Sequence, residues 1–220
     1  MKKTLEEHAA RFDEIASEYD DDGSEEYRAC ASLVIEHAAP DEEDVVLDLG
    51  AGTGAIALAL APDAARVVGR DISDGMLAKA EEKAADSGLE NVEFGSGRFR
   101  DPDYDGAVDI VTSNFAMHHL SDEEKREAIS VIADLEPRTF VLGDVMFFGE
   151  PDPSEPFYSP EVDDPATVGV LADAFTDAGF SLTAVERVND QVGVLVAERT
   201  QSGGIEAVDG ETGLETSGGE

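Results

Sequence analysis

The segment Val45–Ala61, VVLDLGAGTGAIALALA, contains the features that decide the fold. Its first part, VVLDL, is rich in apolar residues and predicts a short buried strand. Glycines follow at Gly50, Gly52 and Gly54, and the apolar residues after them predict a helix. A glycine-rich turn between a strand and a helix lets a ligand approach the backbone N–H groups without interference from a Cβ atom. The segment therefore predicts the start of an α/β domain with a ligand-binding turn.

Strands and helices alternate outward from this turn. Helices are predicted at Thr4–Ser17, Glu25–Ala39, Ala55–Ala61, Ser73–Ser87, Asp122–Leu135 and Pro165–Gly179. Parallel strands are predicted at Val45–Leu49, Arg66–Ile72, Asn91–Gly95, Ala107–Phe115 and Thr139–Phe147. Such alternation is typical of a mostly parallel sheet with helices on both faces.

The end of the alternating region departs from this pattern. Two strands, Phe180–Val188 and Gln191–Arg199, are separated only by Asn189-Asp190, which predicts an antiparallel hairpin. The predicted fold is therefore a Rossmann-like α/β domain of seven strands ending in a hairpin. We divide the chain into an N-terminal helical cap (1–40), a ligand-binding domain (41–200) and a disordered acidic tail (201–220), because the tail lacks apolar periodicity.

The charge of the chain is extreme. Fifty-one acidic residues face fifteen Lys and Arg, giving a net charge of −36. This balance, with few lysines and many Ala, Gly and Val residues, resembles the proteins of halophilic archaea. At about 1 M salt the Debye length is about 3 Å, so the self-repulsion of such a surface is screened. A large phosphate-binding surface is not expected, and nucleic acid is not a predicted partner.

Cysteine content and hydropathy define the expected environment. The single cysteine, Cys30, excludes an intramolecular disulfide and a cysteine-based metal cluster, and its apolar surroundings predict helix packing. No stretch approaches the roughly 18 apolar residues that a membrane helix requires. The first twenty residues lack the apolar core of a secretion signal. We therefore expect a cytoplasmic protein without a membrane partner.

Two carboxylates distinguish between possible ligands of the glycine turn. The letters GAGTGA also fit the dinucleotide pattern G-x-G-x-x-A. Asp48, however, lies two residues before Gly50, where a carboxylate favours a ligand ammonium and gives nothing to a pyrophosphate. Asp71 lies 21 residues after Gly50, at the end of the second strand, and can accept hydrogen bonds from ribose hydroxyls.

Three segments carry a resemblance to a known family: VVLDLGAGTGAIALALA, VVGRDISDGMLAKAEEKA and DIVTSNFAMHHLSDEEK. They resemble the class I S-adenosylmethionine (AdoMet)-dependent methyltransferases, in particular the small-molecule types 11 and 25. The likeness extends from about Phe12 to Arg199. It implies AdoMet as cofactor and transfer of its methyl group to a small-molecule acceptor that the sequence does not identify.

The resemblance also implies roles for individual residues. It implies that Gly50 and Gly52 contact the methionine part of AdoMet, that Asp71 binds the ribose, and that Ile72 and Met76 pack on the adenine. The backbone near Asn114 contacts the methionine amino group, and Tyr19 closes over the ligand. The full predicted cofactor set is Tyr19, Asp48, Gly50, Ala51, Gly52, Gly54, Asp71, Ile72, Met76, Gly97, Arg98, Phe99 and Asn114.

Arg98 departs from the family pattern. Many relatives place an acidic residue there, which accepts a hydrogen bond from the adenine amino group. An arginine cannot accept that bond. Adenine recognition is then expected from the backbone of Gly97–Phe99 or from Asp101.

Histidines supply the candidate catalytic groups. His118 and His119 follow the fourth strand, where either can act as a general base or orient the acceptor. No metal is expected, because adjacent histidines rarely share an ion without further ligands. His8 and His37 are expected on helix surfaces. The segment Gly149–Pro160 is either part of the acceptor pocket or a plain connection.

Two other functions remain open from the sequence. A nicotinamide-dependent oxidoreductase would bind NAD(P) at the glycine turn, although Asp48 and the terminal hairpin argue against it. A methyltransferase-like protein could instead bind AdoMet as a non-catalytic regulator. The oligomeric state is not indicated by the sequence.

Overall fold

The computed structural model describes residues 4–20, 23–150, 157–159 and 162–199. Within these residues the helices are Leu5–Ile15 (α1), Glu25–Ala38 (α2), Ala55–Leu60 (α3), Asp74–Asp86 (α4), Asp122–Asp134 (α5) and Val168–Asp177 (α6). The strands are Val45–Leu49 (β1), Arg66–Asp71 (β2), Val92–Ser96 (β3), Ile110–Asn114 (β4), Thr139–Val145 (β5), Phe180–Arg187 (β6) and Val192–Arg199 (β7). The predicted tail, 201–220, lies outside the described residues. No helix in the described part of the chain is long and apolar enough to cross a membrane.

Hydroxyl side chains determine where several helices begin. The side chains of Thr4 and Ser121 accept hydrogen bonds from the backbone N–H three residues later, and the carboxylates of Glu7 and Glu124 accept one from the N–H of the capping residue. Both ends are capping boxes, which satisfy N–H groups that the helix itself leaves unpaired. Thr167 caps α6 through the N–H of Val170. This helix therefore begins later than the predicted start at Pro165.

The sheet has the predicted architecture. Its strand order is β3-β2-β1-β4-β5-β7-β6. The first five strands in sequence pair in parallel, whereas β7 pairs antiparallel with both β5 and β6. The Rossmann-like fold with a terminal hairpin is thus confirmed.

The hairpin connection is longer than predicted. The backbone N–H groups of Val188 and Asn189 both donate to the Val192 carbonyl, at 3.0 and 3.1 Å. The side chain of Asn189 accepts a hydrogen bond from the Gln191 N–H at 2.8 Å. These bonds close a four-residue connection, 188–191, so the prediction of a two-residue turn was wrong. The local bonds of an asparagine side chain explain the longer turn.

Alternate residues along the strands pack into two apolar layers, one on each face of the sheet. Val46, Val67 and Ile110 pack with α2 and α3 on one face. Leu47 and Val111 pack with α5 and α6 on the other. Successive side chains of a strand point to opposite faces, so a sheet covered on both sides needs apolar residues at every position.

Helix α2 belongs to the core of this sheet. It contacts β4, β5 and β7. Cys30 is fully buried in this contact, and its thiol donates to the Gly193 carbonyl oxygen at 3.6 Å. The predicted packing role of this cysteine is confirmed. Helix α1, by contrast, contacts α4.

Candidate active site

A cleft of about 250 Å³ opens at the carboxyl ends of β1, β2 and β4. The chain leaves β1 toward β2 on one side, while β4 lies on the other side. Such a reversal of strand order is the usual ligand site of open α/β sheets, because the loops separate there. The residues lining this cleft are Leu5, His8, Phe12, Tyr19, Tyr27, Asp48, Gly50, Ala51, Gly52, Thr53, Ile56, Asp71, Ile72, Met76, Gly97, Arg98, Phe99, Arg100, Asn114, Phe115, Ala116, His119, Leu120 and Glu124.

The glycine turn is held against β2 by backbone hydrogen bonds. The N–H groups of Gly50 and Ala51 both donate to the Arg70 carbonyl, at 2.8 and 3.1 Å. At Gly50 a Cβ atom would lie 2.3 Å from the Cβ of Ala116, so only glycine fits the close approach of the two loops. At Gly52 the φ angle is +54° and the position of a Cβ is open space within 4 Å. The backbone of Gly52 therefore borders an open part of the cleft.

Asp48 is a buried carboxylate with one oxygen available. Its Oδ1 accepts a hydrogen bond from the Thr112 hydroxyl at 2.9 Å, whereas Oδ2 makes no hydrogen bond within the described residues. Burial, with the nearby Asp71 as a further cause, raises the pKa of Asp48 to about 7. A cationic group in the cleft would favour the ionised form of this carboxyl.

Asp71 joins the second strand to the glycine turn. Its two oxygens accept hydrogen bonds from the backbone N–H groups of Ser73, at 2.9 Å, and Gly52, at 2.8 Å. Burial raises the pKa of Asp71, and these backbone N–H groups oppose the rise. Each carboxylate oxygen has a second lone pair, so the residue can still accept bonds from a ligand.

The wall next to Asp71 is formed by the residues predicted to contact the adenine. Met76 is buried, and Ile72 is half-buried. The N–H of Gly97 donates to the Asp71 carbonyl at 3.0 Å. The guanidinium of Arg98 lies 3.3 Å from the Asp101 carboxylate and is about half exposed. Asp101 is thus engaged by this arginine and by mutual backbone hydrogen bonds with it.

Helix α1, in the segment predicted as an N-terminal cap, forms one wall of the cleft. Leu5, His8 and Phe12 line the cleft beside Tyr19. Burial raises the pKa of the Tyr19 phenol. His8 is buried, and its ring centroid lies 4.9 Å from that of His119. The prediction of a surface position for His8 was therefore wrong: α1 folds over the cleft and encloses this side chain.

Two further aromatic residues close the side next to Asn114. The rings of Tyr27 and Phe115 lie 5.3 Å apart with an edge-to-face geometry. Both residues line the cleft together with Asn114, which ends β4. Burial raises the pKa of the Tyr27 phenol far above its ordinary value, so this side chain remains a neutral hydrogen-bond donor. Tyr27 and Phe115 were not predicted as site residues, because their aromatic character was their only signal in the sequence.

The two adjacent histidines have different environments. His119 lines the cleft, and its Nδ1 lies 2.8 Å from Oδ1 of Asp163. His118 is buried away from the cleft lining, with its Nδ1 2.5 Å from Oδ1 of Asp144. Burial lowers the pKa of His119, and the neighbouring His118 adds to this effect. The charge of Asp144 raises the pKa of His118 despite its burial.

Most of the predicted site residues thus meet in one cleft, and Gly54 and His118 are the two that do not line it. Gly54 lies at the start of α3, where a Cβ would be 3.0 Å from the Phe94 ring. In the segment Gly149–Pro160, residues 151–156 and 160 lie outside the described residues. Phe157 packs on Phe115, with ring centroids 6.1 Å apart.

Residues 46–135 match the sequence profile of the family described as a methyltransferase domain. This stretch is similar to that family in sequence. It extends from β1 to the end of α5 and includes Asp48, the glycine turn, Asp71, Asn114 and both adjacent histidines. The match therefore covers most of the cleft-lining loops, while α1 and the hairpin lie outside it.

Proteins similar to this chain include two from bacilli. The uncharacterized methyltransferase YcgJ of Bacillus subtilis is 39% identical over 103 residues, which are 46% of this chain and 41% of that protein. An uncharacterized methyltransferase of Bacillus pumilus is 28% identical over 213 residues, 88% of this chain and 94% of that protein. The chain thus aligns with less than half the length of the first relative and with nearly all of the second.

Solved structures of methyltransferases share the fold of this chain. One is the crystal structure of magnesium protoporphyrin IX methyltransferase from Synechocystis PCC 6803 with bound SAM. It superimposes with a TM-score of 0.62 and 23% identity, covering 79% of each chain. At this identity the likeness concerns the arrangement of helices and strands.

Proposed function

We propose that the chain is an AdoMet-dependent methyltransferase acting on a small-molecule acceptor. The observation that carries the proposal is the buried carboxylate of Asp48, whose Oδ2 is available beside the glycine turn. The ammonium of a methionine moiety would supply both a hydrogen-bond donor and a positive charge at that oxygen. The methyltransferase match over residues 46–135 supports this assignment.

The remaining cofactor contacts follow from the shape of the cleft. We assign the ribose hydroxyls to Asp71, because its carboxylate lies at the end of β2 and has lone pairs left to accept them. We assign the adenine faces to Ile72 and Met76. We assign the adenine edge to backbone groups of Gly97, Arg98 and Phe99, since the Arg98 side chain is turned to Asp101.

Methyl transfer places modest chemical demands on the protein. AdoMet supplies a methyl group already activated by its sulfonium. The cleft residues must hold donor and acceptor in line and exclude water, an effect that contributes about 7–11 kcal/mol in well-oriented reactions. The closed aromatic walls formed by Phe12, Tyr27 and Phe115 suit this positioning role.

The acceptor end of the cleft lies between α1 and the turn after β4. Leu5, Phe12 and Leu120 make it apolar, and His119 adds a polar group. We propose an acceptor with an apolar or aromatic body and one nucleophilic atom directed at His119. His118 then serves as a positioning residue, because it is buried behind His119 and bonded to Asp144.

The test is turnover of AdoMet in concentrated KCl with a panel of phenols, amines, thiols and carboxylic acids. We expect the demethylated product to accumulate with at least one acceptor class. Asp71→Asn should lower this rate by tenfold or more, because the variant weakens the ribose contact. Asp86→Asn, an exposed acid on α4, is the matched control and should leave the rate unchanged. Binding of AdoMet without any turnover would instead identify a non-catalytic binding protein, and binding of NAD(P) alone would identify an oxidoreductase.

A further inference from the structure

Three of the four histidines of the chain lie together at the acceptor end of the cleft. The ring centroid of His119 lies 4.1 Å from that of His118 and 4.9 Å from that of His8. Asp163, which is 44 residues from His119 in the sequence, joins them through its carboxylate. Such convergence is notable in a chain with four histidines in 220 residues. None of these contacts belongs to the proposed AdoMet site.

His118 is oriented as a metal-binding histidine would be. Its Nδ1 is bonded to the Asp144 carboxylate at 2.5 Å, which places the proton on Nδ1 and leaves the Nε2 lone pair available. Its Nε2 lies 3.9 Å from Oδ1 of Asp163. A carboxylate that holds the second nitrogen of a histidine is a usual feature of metal sites, where it fixes the ring orientation.

Asp163 directs one oxygen toward both imidazoles. Its Oδ2 accepts a hydrogen bond from the Ser159 N–H at 2.7 Å, which fixes the carboxylate. Its Oδ1 lies 2.8 Å from Nδ1 of His119 and is also the oxygen nearest His118. One atom from each of these three residues lies within 4.8 Å of the others. A tetrahedral ion with ligands at about 2.0–2.2 Å would draw His118 Nε2 and Asp163 Oδ1 closer together than their 3.9 Å separation.

The local charge favours a cation at this position. Asp144 and Asp163 are both buried carboxylates. The ammonium of Lys125 is nearby and bonds to the carbonyl oxygens of Leu120 and Asp164. A divalent ion at the cluster would compensate the two carboxylates without exposing them to water.

We propose that His118, His119 and Asp163 bind a divalent transition-metal ion of the Zn²⁺ type, with Asp144 orienting His118. The absence of a third ligand was the reason to expect no metal from the sequence, and the fold supplies that ligand as Asp163. Two imidazoles and one carboxylate match the borderline ligand preference of Zn²⁺. Three protein ligands leave a fourth position open, as in catalytic zinc sites.

The ion would act on the acceptor, an extension that rests on the proposed function. His119 lines the cleft, so an ion bound to it would lie next to the acceptor. A cation there lowers the pKa of an acceptor hydroxyl. The proton leaves to solvent, the oxygen attacks the methyl carbon, and the carbon–sulfur bond breaks with its electron pair remaining on sulfur. The site therefore favours an alcohol or phenol acceptor.

The first test measures metal binding without AdoMet. The chelator-treated chain is titrated with Zn²⁺ in concentrated KCl, which suppresses weak binding by surface carboxylates. We expect one ion per chain with micromolar or tighter affinity. Asp163→Asn and His119→Gln should weaken it by at least 100-fold, and Asp144→Asn by about 10–100-fold as is usual for such outer partners. His37→Gln on α2 is the matched control, because His37 contacts Glu186 and is remote from the cluster.

The second test does not depend on any variant folding. Co²⁺ replaces Zn²⁺, and a four-coordinate site with histidine ligands gives an intense visible absorption that Co²⁺ bound to surface carboxylates lacks. Appearance of this band at one equivalent supports the proposal. Absence of the band, or Zn²⁺ affinity that is equal in wild type, Asp163→Asn and His37→Gln, would overturn it. Because neither measurement contains AdoMet, failure of the metal site leaves the methyltransferase proposal intact, and the reverse also holds.

Discussion

At the scale of single residues, Asp48 carries most of the argument about the cofactor. Burial raises its pKa to about 7, so the carboxyl is partly protonated in neutral solution. A bound ammonium would draw it into the ionised form. We therefore expect the affinity for AdoMet to increase as the pH rises from about 6 to about 7, and to decrease above about pH 8, where the α-ammonium of the ligand loses its proton. Calorimetry across this range measures the effect.

The variant Asp48→Asn gives the control for this pH dependence. The substitution should weaken AdoMet binding by tenfold or more, since hydrogen bonds to charged groups contribute about 1.5–3 kcal/mol, and it should flatten the pH profile. It should also stabilise the ligand-free protein. Because the pKa of Asp48 is raised in the fold, ionisation of this carboxyl destabilises the folded state as the pH rises from its ordinary pKa to about 7. The neutral Asn side chain would recover that stability. An unchanged affinity in Asp48→Asn would remove Asp48 from the site.

Gly52 provides a second prediction at this scale. Gly52→Val should abolish AdoMet binding while the fold persists, because a side chain there meets no protein atom within 4 Å and enters the cleft. Gly88→Val is matched to it: Gly88 also has a positive φ and open space, but it follows α4 outside the cleft. The free energy of unfolding of each variant should fall by about 1–2 kcal/mol because of backbone strain. Equal AdoMet affinities of the two variants would contradict the assignment.

Individual residues differ in how far the sequence predicts their position. Asp48 and Asp71 could be located because each lies at the carboxyl end of a strand next to the glycine turn, and these ends share one edge of a parallel sheet. The position of His8 could not be predicted in this way, because its burial depends on where α1 packs. Asp163 could not be paired with His119, because the loop that brings them together has no local pattern.

At the scale of elements, the side chain of Asp13 links α1 to the start of α4. Oδ1 of Asp13 accepts hydrogen bonds from the Ser73 hydroxyl, at 2.6 Å, and from the Gly75 N–H, at 2.9 Å. These bonds lower the pKa of Asp13. We propose α1 as the cap of the site, whereas α2 is part of the sheet's core.

Asp13→Ala tests this attachment. The variant loses two hydrogen bonds of about 1 kcal/mol each. We therefore expect hydrogen exchange in α1 to accelerate by about fivefold or more. AdoMet affinity should fall with it, since Phe12 and Tyr19 depend on the position of α1. Glu14→Ala, an exposed neighbour on the same helix, is the control. Exchange in α1 that is equally slow in both variants would mean that other contacts fix the helix.

The elements themselves were largely predictable, and their spatial order was less so. Alternating apolar segments and capping residues such as Ser121 identify helices and strands from local chemistry. The insertion of β7 between β5 and β6 was not predicted, because it depends on which hairpin strand covers the edge of the sheet. Packing against α2 and α6 determines which hairpin strand pairs with β5, and the sequence of the turn carries no signal of it.

At the scale of the whole molecule, the net charge of −36 predicts that stability depends on salt. Repulsion among the acids opposes the compact state in dilute buffer, and salt screens it. We expect cooperative thermal unfolding in concentrated KCl and its loss on dialysis into low salt, as followed by circular dichroism. A sharp transition at the same temperature in dilute buffer would refute this and leave the proposed enzymatic activity untouched.

The most direct measurement for the central claim is a calorimetric titration in concentrated KCl with AdoMet, its demethylated product and NADH. The account predicts binding of the two sulfur nucleosides at one site per chain and no heat with NADH. Binding of NADH together with indifference to AdoMet would contradict it.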